Sequence, residues 1–185
     1  MTPKRTIYLG KFLGLEFHAA PSVLVTIIVA VTAFFLFLNK VLKWRPWTAV
    51  TGGILATALH YLSELWHQLG HARAAEQTGF PMKGVTLVGP LGVSVYPKNE
   101  GLLSADVHIQ RALGGPIFSL LLSLGAGLIA FLMQYLGGLP LFLAVFSFLD
   151  NLFFFTIGAF MPLGFTDGST LRTWWSQRQS MRLSL

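Results

Sequence analysis

Long apolar runs alternate with short polar stretches along this chain. Ala19 to Leu38 and Pro116 to Met133 carry no charged residue, and Leu139 to Leu149 continues past Asp150-Asn151 to Met161. Each run is at or near the ~20 residues that a helix needs to cross a bilayer. Trp47 to Leu69 qualifies by length, although its second half is polar on one side. Four spanning helices are therefore predicted. Pro21, Pro46, Pro116 and Pro140 mark their starts, where a missing N–H costs nothing and the fixed φ suits a first turn. Between the second and third spans the period changes. Val85-Thr86-Leu87-Val88 and Val93-Ser94-Val95-Tyr96, around Gly89-Pro90-Leu91-Gly92, read as a hairpin too short to span, placed at the cytoplasmic surface. The expected fold class is an all-α polytopic membrane protein of about four transmembrane helices with a small cytoplasmic β-hairpin. Residues 1–170 form one integral membrane domain in this reading, and 171–185 a polar, basic tail that frays beyond Trp175.

Composition agrees. Of 185 residues 54% are hydrophobic and 11% charged, against about 25% charged in ordinary soluble domains, so lipid is the main solvent expected. The first apolar run is too long for a signal-peptide core and lacks a small-residue cleavage site, so it is expected to be retained. The net charge of +6 matters less than its placement. With four spans, the N-terminus, the 72–112 connection and the C-terminus share one side. That side holds Lys4, Arg5, Lys11, Arg73, Lys83, Lys98, Arg111, Arg172, Arg178 and Arg182; the other holds Lys40, Lys43 and Arg45. The positive-inside rule then puts both termini in the cytoplasm, with the cell membrane as the expected location. The basic residues flank spans instead of forming one patch, so no nucleic-acid partner is expected. With no cysteine, a metal would be held by histidine and carboxylate.

The second predicted helix carries the chemistry. His60, Glu64, His67, Gln68 and His71 fall within one arc of about 100°, and ionisable groups clustered this way in a bilayer face the bundle interior and mark a functional site. His67 and His71 stand at the i, i+4 spacing that closes on one metal ion, and the pentad His67-Gln68-Leu69-Gly70-His71 is one letter from the zinc-protease pattern His-Glu-x-x-His. The alternative, that these histidines only hydrogen-bond across helices, suits a lone histidine better than a pair at ligand spacing. A catalytic zinc needs a third ligand. Asp167, at the same predicted depth, is the candidate, although Asp-Gly is also a common turn.

With these residues in place, the chain resembles the site-2 protease family of intramembrane zinc metalloproteases over roughly residues 10–170. "HQLGHARAA" is similar to the family's His-Glu-Leu-Gly-His-Ala stretch. "LGGPIFSLLL" is similar to its Ala-Gly-Pro-x-x-Asn motif through Gly115 and Pro116. "DNLFFFTIGAFMPLGFTDG" is similar to its Asn-x-x-Pro-x-x-x-x-Asp-Gly signature through Pro162, Asp167 and Gly168. The resemblance implies Zn2+ held by His67, His71 and Asp167, a cytoplasm-facing site, and cleavage of membrane-protein or peptide substrates in or near the bilayer. It also implies that the strand region contacts substrate, by adding an extended segment to the hairpin. Four positions depart from it: Gln68 for the motif glutamate, Ser119 and Ala159 for two asparagines, and Thr166 for the usual leucine.

In this reaction type a carboxylate takes the proton of the attacking water and delivers it to the leaving amine. Glutamine has no usable basicity, and losing a general base costs about 10²- to 10⁴-fold. Glu64, one turn before Gln68, has three readings: a displaced base, a partner orienting His67, or a protonated carboxyl bonded to His60. Asp150, about 18 Å from the metal end, is expected to bond across helices with Asn151. His18 and His108 are expected to be solvated, and Trp44, Trp47, Trp174 and Trp175 to anchor span ends. The expected function is intramembrane zinc proteolysis, either with Glu64 as a displaced base or in a chain that is a glutamine-substituted form of such an enzyme. The rivals are a metal-binding pseudoprotease that holds membrane proteins without cutting them and, further off, a metal carrier.

Overall fold

The computed structural model describes residues 5–183. The chain is mostly helical and opens with a hairpin, β1 (Ile7–Phe12) and β2 (Leu15–Ala19). α1 (Ser22–Leu36) follows, closed by a wider π turn over Phe37–Val41. α2 runs from Pro46 to Gln77, and β3 (Gly84–Val88) and β4 (Leu91–Val95) precede α3 (Ala105–Met133). α4 (Gly138–Leu149) continues as a π-helix over Asp150–Ile157 and a 3-10 turn over Gly158–Phe160, and α5 spans Asp167–Leu183.

Among the described residues, three helical segments are long and apolar enough to cross a membrane: Ser22–Val41, Ala105–Met133 and Gly138–Phe160. α2, counted as a fourth from the sequence, is longer than any of them but too polar to qualify on composition. The apolar residues of the long helices face outward; Leu121, Leu124, Leu128 and Leu132 are each more than half exposed. Between the helices the interior holds mostly small and polar groups, with Leu38, Ile109 and Phe155 as large apolar ones. α2 and α3 cross at Gly70 and Gly114, where a Cβ on either would run into the backbone of the other.

The expected lone hairpin is half of a four-stranded sheet in the order β1-β2-β3-β4. β2 pairs with β3 in parallel, Glu16 opposite Gly84 and Ala19 opposite Leu87, and the two hairpins flank that pair. The sheet packs on the C-terminal half of α2 through Leu15, Ala75, Met82, Val85 and Leu87. Its β3–β4 turn does not project from the bundle. The Tyr61 hydroxyl donates to the Gly89 carbonyl (2.9 Å), the Gly89 N–H donates to Ser22 Oγ (3.0 Å), and His60 Nε2 lies 2.9 Å from the Pro90 carbonyl. The hairpin therefore runs along α2, its tip beside the middle of that helix.

Two further expectations change. Pro116 does not start a helix; it lies inside α3, which begins at Ala105 in the polar stretch that the apolar run excluded. The segment beyond Trp175, expected to fray, is helical to Leu183 as part of α5.

Candidate metal centre

α2 delivers two imidazoles to one point. His67 Nε2 and His71 Nε2 are 3.0 Å apart, and α5 brings its first residue against both: Asp167 Oδ2 is 3.4 Å from His67 Nε2 and Oδ1 is 3.4 Å from His71 Nε2. Ligand atoms around a tetrahedral ion with bonds of about 2.0–2.1 Å lie ~3.3 Å apart, and each imidazole has a carboxylate oxygen at about that distance, a different oxygen for each. Both histidines are buried and Asp167 is half-buried. Burial opposes a charge on Asp167, but the His71 and His67 imidazoles beside it hold the carboxyl down at about 2.

The outer nitrogens are held as well. His71 Nδ1 lies 2.8 Å from the Arg111 carbonyl. A carbonyl only accepts, so Nδ1 donates in this shorter contact and Nε2 is the ring atom turned to the centre. His67 Nδ1 lies 2.9 Å from Ser119 Oγ, on the next turns of α3. Gly115 is the floor of the site, since a Cβ there would overlap the Nε2 atoms of both histidines. Ser119, which stands where the family motif has asparagine, thus keeps a hydrogen bond to the site. The Arg111 carbonyl gave no signal, being backbone.

Gln68 is fully engaged. Its Nε2 donates to Glu64 Oε1 (2.8 Å) and to the Gly92 carbonyl (3.1 Å), and its Oε1 accepts from Ser94 Oγ (2.7 Å). It ties α2 to β4. Glu64 is therefore partnered by Gln68, and His60 by Asp150, whose two carboxylate oxygens each lie 3.1 Å from its Nδ1; the reading of Glu64 as bonded to His60 is replaced. Asn151 donates to Ser63 Oγ at 2.8 Å, so both members of the Asp150-Asn151 pair bond across helices. His108 is not simply solvated, because Trp174 stacks on it at 3.9 Å between ring centroids. Trp174 thus packs on protein instead of standing free as an anchor.

Glu64, Gln68, the metal triad and Ala159 line one cavity of about 760 Å³, with Gly92, Val93 and Ser94 of β4 on its wall. Arg111 closes one end. Its guanidinium pairs with Glu100 at 2.6 Å and lies 4.1 Å from the centre of the Tyr96 ring. Burial pushes the Tyr96 phenol up to about 12 despite that neighbouring charge, so it stays a neutral hydroxyl.

By sequence, the chain matches no protein-family profile and no curated protein. Its structure superposes on a site-2 protease from Methanocaldococcus jannaschii with a TM-score of 0.60 and 18% identity, covering 94% of this chain and 73% of that one. The chain has the site-2 protease fold. The likeness concerns the path of the backbone, and a shared fold does not by itself carry an activity.

Proposed function

We propose that this chain is an intramembrane zinc metalloprotease of the site-2 type that hydrolyses peptide bonds of membrane-embedded substrates. The observation that carries the proposal is the convergence of His67, His71 and Asp167, with the two Nε2 atoms 3.0 Å apart and one Asp167 oxygen 3.4 Å from each, at the wall of a cavity among apolar helices. A zinc ion held there would supply a Lewis acid for the scissile carbonyl and the attacking water. Glu64 would be the group that takes the water proton and returns it to the leaving amine. Gln68 cannot, being a neutral amide; it orients Glu64 and holds β4. An extended substrate adds to the free edge of β4, where the Gly92 carbonyl is already taken by Gln68. α2 is the fourth span, its polar groups turned inward, with both termini in the cytoplasm of the cell membrane. Residues 1–170 form the protease-like domain.

A second reading, a metal-binding pseudoprotease that holds membrane proteins uncut, is favoured by Gln68, both of whose donor hydrogens and whose oxygen are occupied. One experiment separates the two. Bound zinc and cleavage of a transmembrane peptide are measured for the parent, Gln68→Glu and Glu64→Ala. Cleavage by the parent that Glu64→Ala abolishes supports the protease. Cleavage by Gln68→Glu alone makes the parent a pseudoprotease. No zinc in any of the three rejects both.

A further inference from the structure

The turn before Asp167 is closed on itself, with the Thr166 and Ser169 hydroxyls accepting from the Leu163 and Gly164 N–H groups, but its apolar side chains pack little on the rest of the protein. Met161, Leu163 and Phe165 are 51%, 58% and 73% exposed, and from Asp167 onward the chain is α5. That helix rests on the first turns of α3. The His108 and Trp174 rings stack with planes 7° from parallel, and Arg178 Nε lies 2.9 Å from Asp106 Oδ1. The same turns of α3 carry Arg111, whose carbonyl fixes His71. One helix end thus orients one imidazole through its backbone and seats, through its side chains, the helix that bears the carboxylate. At the near end of α5, Gly168 lies so close to Phe160 that a Cβ would overlap its carbonyl, which brings the pivot of the helix against the end of the α4 segment.

We propose that α5 is a hinged arm that carries Asp167 into the metal centre, and that Trp174, stacked on His108, is the positioning residue that holds the arm closed. This rests on the reading of His67, His71 and Asp167 as a metal site. The Asp106–Arg178 pair contributes less, because its side chains are 58% and 34% exposed and such pairs are weak in water. The ring stack is the stronger contact. Because the third ligand is presented only when the arm is docked, metal affinity falls by the fraction of time that the arm is open. By linkage, bound metal must in turn favour docking.

The test uses the full chain in detergent micelles, with zinc affinity measured by competition against a chromophoric chelator and amide hydrogen exchange followed along α5. Trp174→Ala is expected to weaken zinc binding about 3- to 10-fold. His108→Ala should match it and Trp174→Phe should recover most of the loss, while Arg178→Ala stays within about twofold. Zinc is expected to slow exchange in α5 of the parent, and to slow it less in Trp174→Ala. A purely structural role would lower the melting temperature equally with and without zinc and leave the affinity alone. Parent-like affinity in His108→Ala and in whichever of the two Trp174 variants folds overturns the proposal, as does α5 exchange in the parent that zinc leaves unchanged. A parent that binds no zinc rejects the metal centre itself, and the arm with it.

Discussion

Glu64 accepts from Gln68 Nε2 at 2.8 Å, so restoring glutamate at position 68 does more than return a base. Two carboxylates that close cannot both be charged, and one of them keeps a proton. The Gly92 carbonyl also loses its donor, at a cost of about 1–3 kcal/mol. Gln68→Glu is therefore expected to melt below the parent and to cleave a model membrane peptide slowly. The exchanged pair Glu64→Gln with Gln68→Glu, in which an amide again faces a carboxylate, removes the base proposed at 64 and is expected to cleave at least about 100-fold more slowly than the parent; a rate at or above the parent's would put the base at 68. A second residue-scale expectation concerns Ser119. It holds His67 Nδ1 at 2.9 Å, and Ser119→Ala should weaken zinc binding about 10- to 100-fold in a chelator competition. The convergence of His67, His71 and Asp167 was legible because spacing on one helix and depth at the end of another are properties of sequence. The engagement of Gln68 by Ser94 and Gly92 was not, because it depends on which face of a hairpin meets which face of α2.

At the scale of elements, the chain is readable where a pattern is strong and local. The β3–β4 hairpin announced itself by β-branched residues around a Gly-Pro turn. The β1–β2 hairpin has the same kind of signal in Ile7-Tyr8-Leu9 and Leu15-Glu16-Phe17 around Leu13-Gly14, but its neighbour α1 dominates any hydropathy reading of that end. The parallel pairing of β2 with β3 joins segments on either side of two helices, and no local pattern encodes it. α3 began eleven residues before Pro116 because Ser104 and a polar first turn start the helix outside its apolar run. Two element-scale predictions follow from packing. Gly114→Val at the α2–α3 crossing forces the helices apart, and is expected to destabilise the protein by about 1–3 kcal/mol in a chemical unfolding titration, with loss of bound zinc. Val93→Pro removes a donor that β4 turns toward β3, as Val95 turns its carbonyl to the Lys83 N–H, and so distorts the strand whose outer edge is unpaired; substrate affinity is expected to fall while zinc affinity holds. Unchanged substrate affinity would remove strand addition as the docking mode.

For the whole molecule, the distribution of polarity is inverted relative to a soluble protein, and α2 shows it best. Its buried positions are Ala49, Gly52, Gly53, Ala56, Thr57, Ser63, Glu64, His67, Gln68, Gly70, His71 and Ala75, whereas Ile54, Leu55, Leu62 and Trp66 face outward at 52%, 39%, 59% and 39% exposure. A hydropathy average penalises such a helix for groups that lipid never meets. Averaging is why α2 falls outside the three apolar segments although its outer surface matches theirs. If α2 crosses the membrane, residue 43 and residue 98 lie on opposite sides; if it does not, they share one. The chain has no cysteine, so single substitutions report cleanly with a maleimide that cannot permeate. In intact cells Lys43→Cys is expected to label from outside, whereas Lys98→Cys and Arg172→Cys should label only after permeabilisation. The reverse pattern would invert the orientation expected from the positive-inside rule, and labelling of 43 and 98 from the same side would leave the candidate metal centre on a helix that never enters the bilayer.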